Sequence, residues 1–383
     1  MAAGVAVVDE LDVRAQLTNE EIMLPLTHHG LAANYNDAAT LTRQHSPQDH
    51  FSADYEQTPD WAIGPFHRDS SLAFTPSSQW PDPTGIGWTA SAIFNPSLIR
   101  HDGRLMVFYR ASPSMESTAS RIGMAVHDPA TGWTDSPRNP LIYPTRDNEL
   151  HGCEDPKIYR ANGRYFLFYN AVFPIDPDDA SRYPSPNYAL EDIGCDINVA
   201  VSDDLVNWTK IGPIVPHEVS RLWCKGAVIP RDANGDAVRV GGEFLMYLSE
   251  GCNGTLHIGR SVDLIHWEFE EQQYLDLEPF KSLLHEVACA AAFDDGRIVL
   301  DIFCSAGAAG KFAAQALYHR DSPFTQISLN KGGSLSWGGL LQHRGTWLFA
   351  QGWDAPAGVR ELYFYRSARV ETPVRAQPSA SAR

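Results

Sequence analysis

The stretch Asn95-Pro96-Ser97-Leu98-Ile99-Arg100-His101-Asp102-Gly103-Arg104-Leu105-Met106-Val107-Phe108-Tyr109-Arg110-Ala111 returns about 60 residues later as Asp155-Pro156-Lys157-Ile158-Tyr159-Arg160-Ala161-Asn162-Gly163-Arg164-Tyr165-Phe166-Leu167-Phe168-Tyr169-Asn170-Ala171. The two copies match position by position. Each reads as a strand, a tight turn ending in glycine, and a second strand rich in aromatics, which is a β-hairpin. Weaker copies run from Lys225 to Tyr247, from Glu286 to Phe303 and from Trp337 to Phe349, so the anchors Asn95, Asp155, Lys225, Glu286 and Trp337 stand about 50 to 70 residues apart. Self-similarity at such a period is the mark of a repeat architecture.

A second element follows the hairpins. Ala200-Val201-Ser202-Asp203-Asp204-Leu205-Val206-Asn207-Trp208 parallels Gly259-Arg260-Ser261-Val262-Asp263-Leu264-Ile265-His266-Trp267, with a third version from Ala125 to Trp133. It reads as a third strand, a turn whose Asp binds the turn backbone, and a Trp that opens a fourth strand and packs between neighbouring sheets. Four strands per unit and five units predict an all-β fold, a five-bladed β-propeller. A sandwich would not demand such matched hairpins.

Composition agrees. Of 383 residues, 29 are Gly and 26 Pro, with 10 Trp, 14 Tyr and 17 Phe, which suits many turns and short aromatic strands. Residues 61–370 are expected to form the propeller. Residues 1–60 read as a partly irregular N-terminal arm with a short helix near Leu11 to Met23, and residues 371–383 as a disordered tail of Ala, Ser, Pro and Arg. The arm leaves room for homo-oligomer contacts. A net charge of −17 repels nucleic acid and anionic membrane and suits a neutral oligosaccharide partner. Six widely spaced cysteines read as free buried thiols in a reducing compartment. With no signal peptide and no membrane-length apolar run evident, a cytoplasmic enzyme is expected. No cofactor is expected, and His151 with Cys153 is too small a set for a metal site.

In a propeller the first strand of each blade lines the axis, so residues at its start converge on one funnel. Asp155, stiffened by Pro156, is the expected general acid for glycoside cleavage, and Glu286 or Glu250 the expected base. Glu154 is expected on the opposite strand face, by simple alternation. Asp301, in mid-strand, reads as structural. The basic residues Arg110, Arg121, Lys157 and Lys225 suit substrate hydroxyls or anions, or hold the funnel carboxylates ionised. Asn95 and Trp337 complete the expected sugar-binding set.

The stretches Ala92-Ile93-Phe94-Asn95-Pro96, Phe108-Tyr109-Arg110-Ala111, Ser120-Arg121-Ile122-Gly123-Met124-Ala125, Glu154-Asp155-Pro156-Lys157-Ile158 and Lys225-Gly226-Ala227-Val228 resemble glycoside hydrolase family 130, the β-mannoside phosphorylases and mannosidases. The resemblance covers roughly residues 64 to 368. It implies a five-bladed propeller, with Asp155 as proton donor acting through a sugar hydroxyl and Asn95 and Arg110 holding the sugar. It also implies that Arg121 and Lys225 belong to a basic cluster that phosphorylases use for phosphate. Two departures stand out. Lys157 replaces a customary Arg, and Tyr247-Leu248-Ser249-Glu250-Gly251 lacks the His-Arg pair of phosphorylases. A carboxylate there repels phosphate and can activate water, so an inverting hydrolase is the first expectation and a phosphate-dependent phosphorylase the second. Asn95 argues against the related families 43 and 32, which place a carboxylate there. A transglycosylase or furanosidase, and a non-catalytic sugar-binding propeller, are the further alternatives.

Overall fold

The computed structural model describes the backbone of residues 51–52 and residues 55–77, 87–113, 118–184, 193–305, 311–334, 336–352 and 359–368. The expected helix at 11–23 and the tail at 371–383 lie outside the described residues. The chain enters through two short strands, β1 (Phe51–Ser52) and β2 (Phe66–Arg68). Blade one is β3 (Ala92–His101), β4 (Arg104–Ser112), β5 (Arg121–Asp128) and β6 (Gly132–Asp135). Blade two is β7 (Gly152–Ala161), β8 (Arg164–Pro174), β9 (Ile193–Ser202) and β10 (Thr209–Pro213). Blade three holds β11 (Cys224–Lys225), β12 (Arg239–Val240), β13 (Glu243–Leu248), β14 (Glu250–Gly251), β15 (His257–Ser261) and β16 (Glu268–Glu271). Blade four is β17 (Leu283–Ala292), β18 (Arg297–Ser305), β19 (Lys311–His319) and β20 (Ser328–Lys331). Blade five is β21 (Leu341–His343), β22 (Thr346–Gln351) and β23 (Tyr363–Ser367), with β2 as its outer strand. The protein is thus a five-bladed β-propeller.

The strands look apolar throughout because both faces of each blade are buried. Successive side chains point to opposite faces, and each face meets a different neighbour. On β4, Met106 and Phe108 pack toward blade two, whereas Val107, Tyr109 and Ala111 pack toward blade five. On β8, Tyr165, Leu167, Tyr169 and Ala171 face blade one, and Phe166 and Phe168 face blade three. The repeated Trp sits where expected: Trp208 meets Phe108 of blade one, Trp267 meets Phe168 of blade two, and Trp133 meets Phe364 of blade five. Asp204 and Asp263 accept backbone N–H bonds from Val206 and Asn207, and from Ile265 and His266, capping equivalent turns.

Blade three departs from the expected hairpin. Its axial strand stops at Lys225, because Gly226 has φ +77 and turns the chain out of the extended path. Beyond it, Val228 makes only an isolated bridge to Tyr247, and β11 pairs with β14 rather than β13. Two long cations tie the axial strands of different blades together. Lys157 donates to the carbonyls of Ala288 and Trp337, and Arg231 to those of Leu98 and Gly338. All six cysteines are free and buried.

Candidate active site

Asn95 and Asp155 occupy the same place in blades one and two. Each lies where the ladder to the second strand slips, between Phe94 and Ser97 and between Glu154 and Lys157. Each adopts the left-handed backbone region, with φ +47 and +49, which Asn and Asp tolerate better than other residues with a Cβ. The following prolines, Pro96 and Pro156, have no N–H to give to the ladder, so neither loses a ladder bond at the bulge. The bulge swings the two polar side chains together, and Asn95 Nδ2 donates to Asp155 Oδ1 over 2.6 Å.

Arg110 and Lys225 bind the same carboxylate. Arg110 reaches Asp155 at 2.9 Å and Glu154 at 2.7 Å, while its Nε donates to Ser120 Oγ. Lys225 reaches Glu154 at 2.8 Å and Asp155 at 3.3 Å. Glu154 therefore belongs to the cluster, contrary to the expectation from strand alternation, because the bulge breaks that alternation at this point. Asn170 on β8 adds a bond to Asp155 Oδ2 at 3.2 Å. Burial alone would raise the Asp155 carboxyl, but Lys225 and Arg110 outweigh it and hold the group well below the ordinary carboxylate range. Burial likewise opposes the Lys225 ammonium, and Glu154 and Asp155 more than restore it.

Glu286 stands in a second group. Its Oε2 accepts the Trp337 indole N–H at 2.8 Å, and its Oε1 lies 3.6 Å from Lys157 Nζ. Lys157 is only 2% exposed and tied to the axial carbonyls, so it supports Glu286 from within the fold. Trp337 packs on Phe303 and is also buried, so both residues back the funnel wall. Burial pushes Glu286 up to about 7; Lys157 opposes the shift, and Glu250 adds to it. Glu250 faces Lys225 in register across β11 and β14. Burial raises its carboxyl too, against the pull of Lys225 and with a push from Asp155. Gly226 keeps this wall close, since a Cβ there would lie 3.4 Å from Glu286 Oε1.

The structure thus gathers Asn95, Arg110, Asp155 and Lys225 into one hydrogen-bonded cluster and Lys157, Glu286 and Trp337 into another. Glu250 is electrostatically linked to both. Arg121 is buried, and its guanidinium donates to the carbonyl of Ser120, the residue whose hydroxyl accepts from Arg110. Asp301 lies elsewhere, inside blade four, where Gln315 and the Ser334 amide bind it. Sequence reading placed Glu154 on the opposite face and left out Asn170 and Ser249, whose hydroxyl accepts the Val287 amide and fixes the approach to Glu286. Among the described residues no three His, Cys, Asp or Glu side chains group as a metal site, and no helix is long and apolar enough to cross a membrane.

Four carboxylates and three cations gather where the axial strands of a five-bladed propeller begin, an arrangement suited to a glycoside-active enzyme. The family model described as beta-1,4-mannooligosaccharide phosphorylase matches residues 81–282, more than half of the chain, so the chain belongs to glycoside hydrolase family 130. A 1,2-beta-oligomannan phosphorylase of Thermoanaerobacter sp. (strain X514) is 25% identical over 209 residues, spanning 45% of this chain and 69% of that one. Two solved structures share the fold. One, from work showing that this family of mannoside phosphorylases contains hydrolases of β-1,2-mannosidic linkages in Candida mannan, has TM-score 0.61 at 20% identity, covering 83% of this chain and 99% of that one. A glycosyl hydrolase from Bacteroides ovatus has TM-score 0.60 at 22% identity, covering 82% of this chain and 96% of that one. The family description and the curated relative favour phosphorolysis, the second expectation from sequence, over hydrolysis.

Proposed function

We propose that the protein cleaves a β-mannosidic bond with inversion, Asp155 delivering the proton to the leaving oxygen and water acting as the nucleophile. The observation that carries hydrolysis is the pair of Glu286, buried, and Glu250, half-buried, which adds two carboxylates to the site beyond Glu154 and Asp155. A phosphate dianion entering there meets like charge. The nearby cations are already engaged, Arg110 and Lys225 with Glu154 and Asp155, and Lys157 with Glu286 and the axial carbonyls. Water suffers no such repulsion, and a raised carboxylate is a fitting acceptor for its proton. In the step, the water oxygen bonds to the anomeric carbon as the glycosidic C–O bond breaks. The water proton passes to the Glu286 and Glu250 pair, and the leaving oxygen takes the proton of Asp155.

Asp155 is a carboxylate in the free protein, so it must gain its proton on forming the complex. A sugar seated over it strips the remaining water and raises its pKa in the required direction. Asn95 and Arg110 hold the sugar, and Lys225 balances the charge at Asp155. A cytoplasmic setting suits the free buried thiols.

Phosphorolysis is the second reading, carried by the activities named for the family model and the Thermoanaerobacter relative. Product analysis on β-1,2- and β-1,4-mannooligosaccharides, with and without phosphate, separates the two. Hydrolysis gives free mannose as the α-anomer at a rate independent of phosphate. Mannose 1-phosphate formed only when phosphate is present would overturn hydrolysis in favour of the second reading.

A further inference from the structure

We infer that Trp223 forms a stacking platform for the sugar unit adjoining the one held at Asp155, and so sets the preference for oligosaccharide over simple glycosides. The inference rests on the glycoside-cleaving reading above and adds a binding residue to it. Trp223 lies two residues ahead of Lys225 on the axial side of blade three, and Lys225 Nζ sits 5.7 Å from the centroid of the Trp223 ring. The same ammonium touches Glu154 and Asp155. The indole therefore adjoins the carboxylate cluster at the level where the blade begins. Its ring packs on Val172, Ile193 and Cys195 but is only partly covered by them.

The backbone around the ring is fixed. Trp223 N donates to Ser220 O over 3.0 Å, and Trp223 O accepts from Cys252 N over 2.8 Å. Gly251, next to Glu250, approaches so closely that a Cβ there would stand 2.1 Å from the Trp223 carbonyl and 2.7 Å from the indole Cδ1. Ring and Glu250 are thus positioned by one strand pair, so an aromatic surface is set at a fixed place beside the proposed chemistry. The apolar C–H face of a pyranose stacks on such a ring, and the rigid indole loses little entropy in doing so.

The test compares Trp223→Ala, Trp223→Leu and Trp223→Phe with wild type on a β-mannotriose and on an aryl β-mannoside, which has one sugar. Circular dichroism establishes that each variant is folded. For the trisaccharide, the Ala and Leu variants are expected to raise KM about tenfold with kcat within about threefold, as loss of one aromatic contact implies. That loss should be at least about fivefold larger than on the aryl substrate, and Phe should recover most of it. Equal effects on both substrates, or a Leu variant like wild type, would overturn the platform. If wild type turns over neither substrate, the catalytic reading falls. Calorimetric binding of the trisaccharide then decides the platform alone: weaker binding by the Ala and Leu variants supports it, and unchanged binding removes it.

Discussion

An Asx residue followed by proline does two jobs here at once. In Asn95-Pro96 and Asp155-Pro156 the first residue takes a left-handed backbone and the second gives up a ladder hydrogen bond. Together they aim an amide and a carboxylate at each other across the blade boundary. Asp155→Asn keeps a residue suited to that backbone and leaves Glu154 to hold Arg110 and Lys225. The variant should therefore keep a wild-type circular dichroism spectrum while losing roughly 10²- to 10⁴-fold in kcat, the usual contribution of a positioned proton donor. Full activity in a folded Asp155→Asn protein would remove Asp155 from the chemistry. The base makes a separate prediction at the same scale. Glu286, raised to about 7, accepts a proton only when ionised, so kcat/KM should fall below about pH 7. Glu250 contributes to that upward shift, so Glu250→Gln should move the acidic limb of the residual kcat/KM profile to lower pH. A limb that stays near 7 in this variant would show that the two carboxylates do not feel each other.

Strands that are buried on both faces make each blade the core of its neighbours. Phe168, fully buried on β8, lies between Tyr159 at 5.8 Å and Trp267 at 6.2 Å and so joins blades two and three. Phe168→Ala should cost about 3–5 kcal/mol, the range for large-to-small changes in a packed core, measured as a lowered Tm and denaturation midpoint. A shift of under about 1 kcal/mol would mean that the blades are not held through this contact. The same double burial explains what was readable in advance. Hairpin pairs, Asp-capped turns and inter-blade tryptophans each depend on near neighbours in the chain, and each was legible. Blade three was less so, because Gly226 breaks the axial strand and the pairing passes to β14, a choice set by packing against Glu286 and Ser249. Glu154 was misplaced for a related reason: alternation assigns it to the far face, and only the bulge at Asp155-Pro156 brings it round. Pro156 was the available signal, since proline within an otherwise regular strand marks such a break.

The whole ring is closed by the chain's early segment. β2 pairs with β23 to complete blade five, Asp69 binds Arg366, and the backbone of Ile63 bonds the Gln315 side chain that in turn donates to Asp301. This clasp and the axial wall both contain carboxyls that burial raises to about 7, Asp301 in the first and Glu286 in the second. In an unfolded chain both would titrate near 4. Between pH 8 and pH 6.5 these two carboxyls therefore take up protons in the folded protein that they do not take up in the unfolded chain, so their contribution to stability rises as pH falls through this window, while Cys252, held at about 6 by its contact with Cys224, contributes in the opposite sense. Each carboxyl contributes about 1 kcal/mol over that interval. Below it His343 works in the opposite sense. Burial holds it at about 4, so the unfolded chain protonates first and the His343 contribution falls from about pH 6.5 downward, offsetting part of the gain from the two carboxyls. Calorimetry of wild type beside Glu286→Gln and Asp301→Asn should show the wild-type Tm gaining on each variant as pH falls from 8 to 6.5, and gaining further below. Each difference should amount to about 1 kcal/mol over pH 8 to 6.5, because each variant deletes one proton taken up on folding. A wild-type Tm that runs parallel to those of both variants over pH 8 to 6.5 would mean that these carboxyls are ionised in the folded ring and paired more strongly than their surroundings imply.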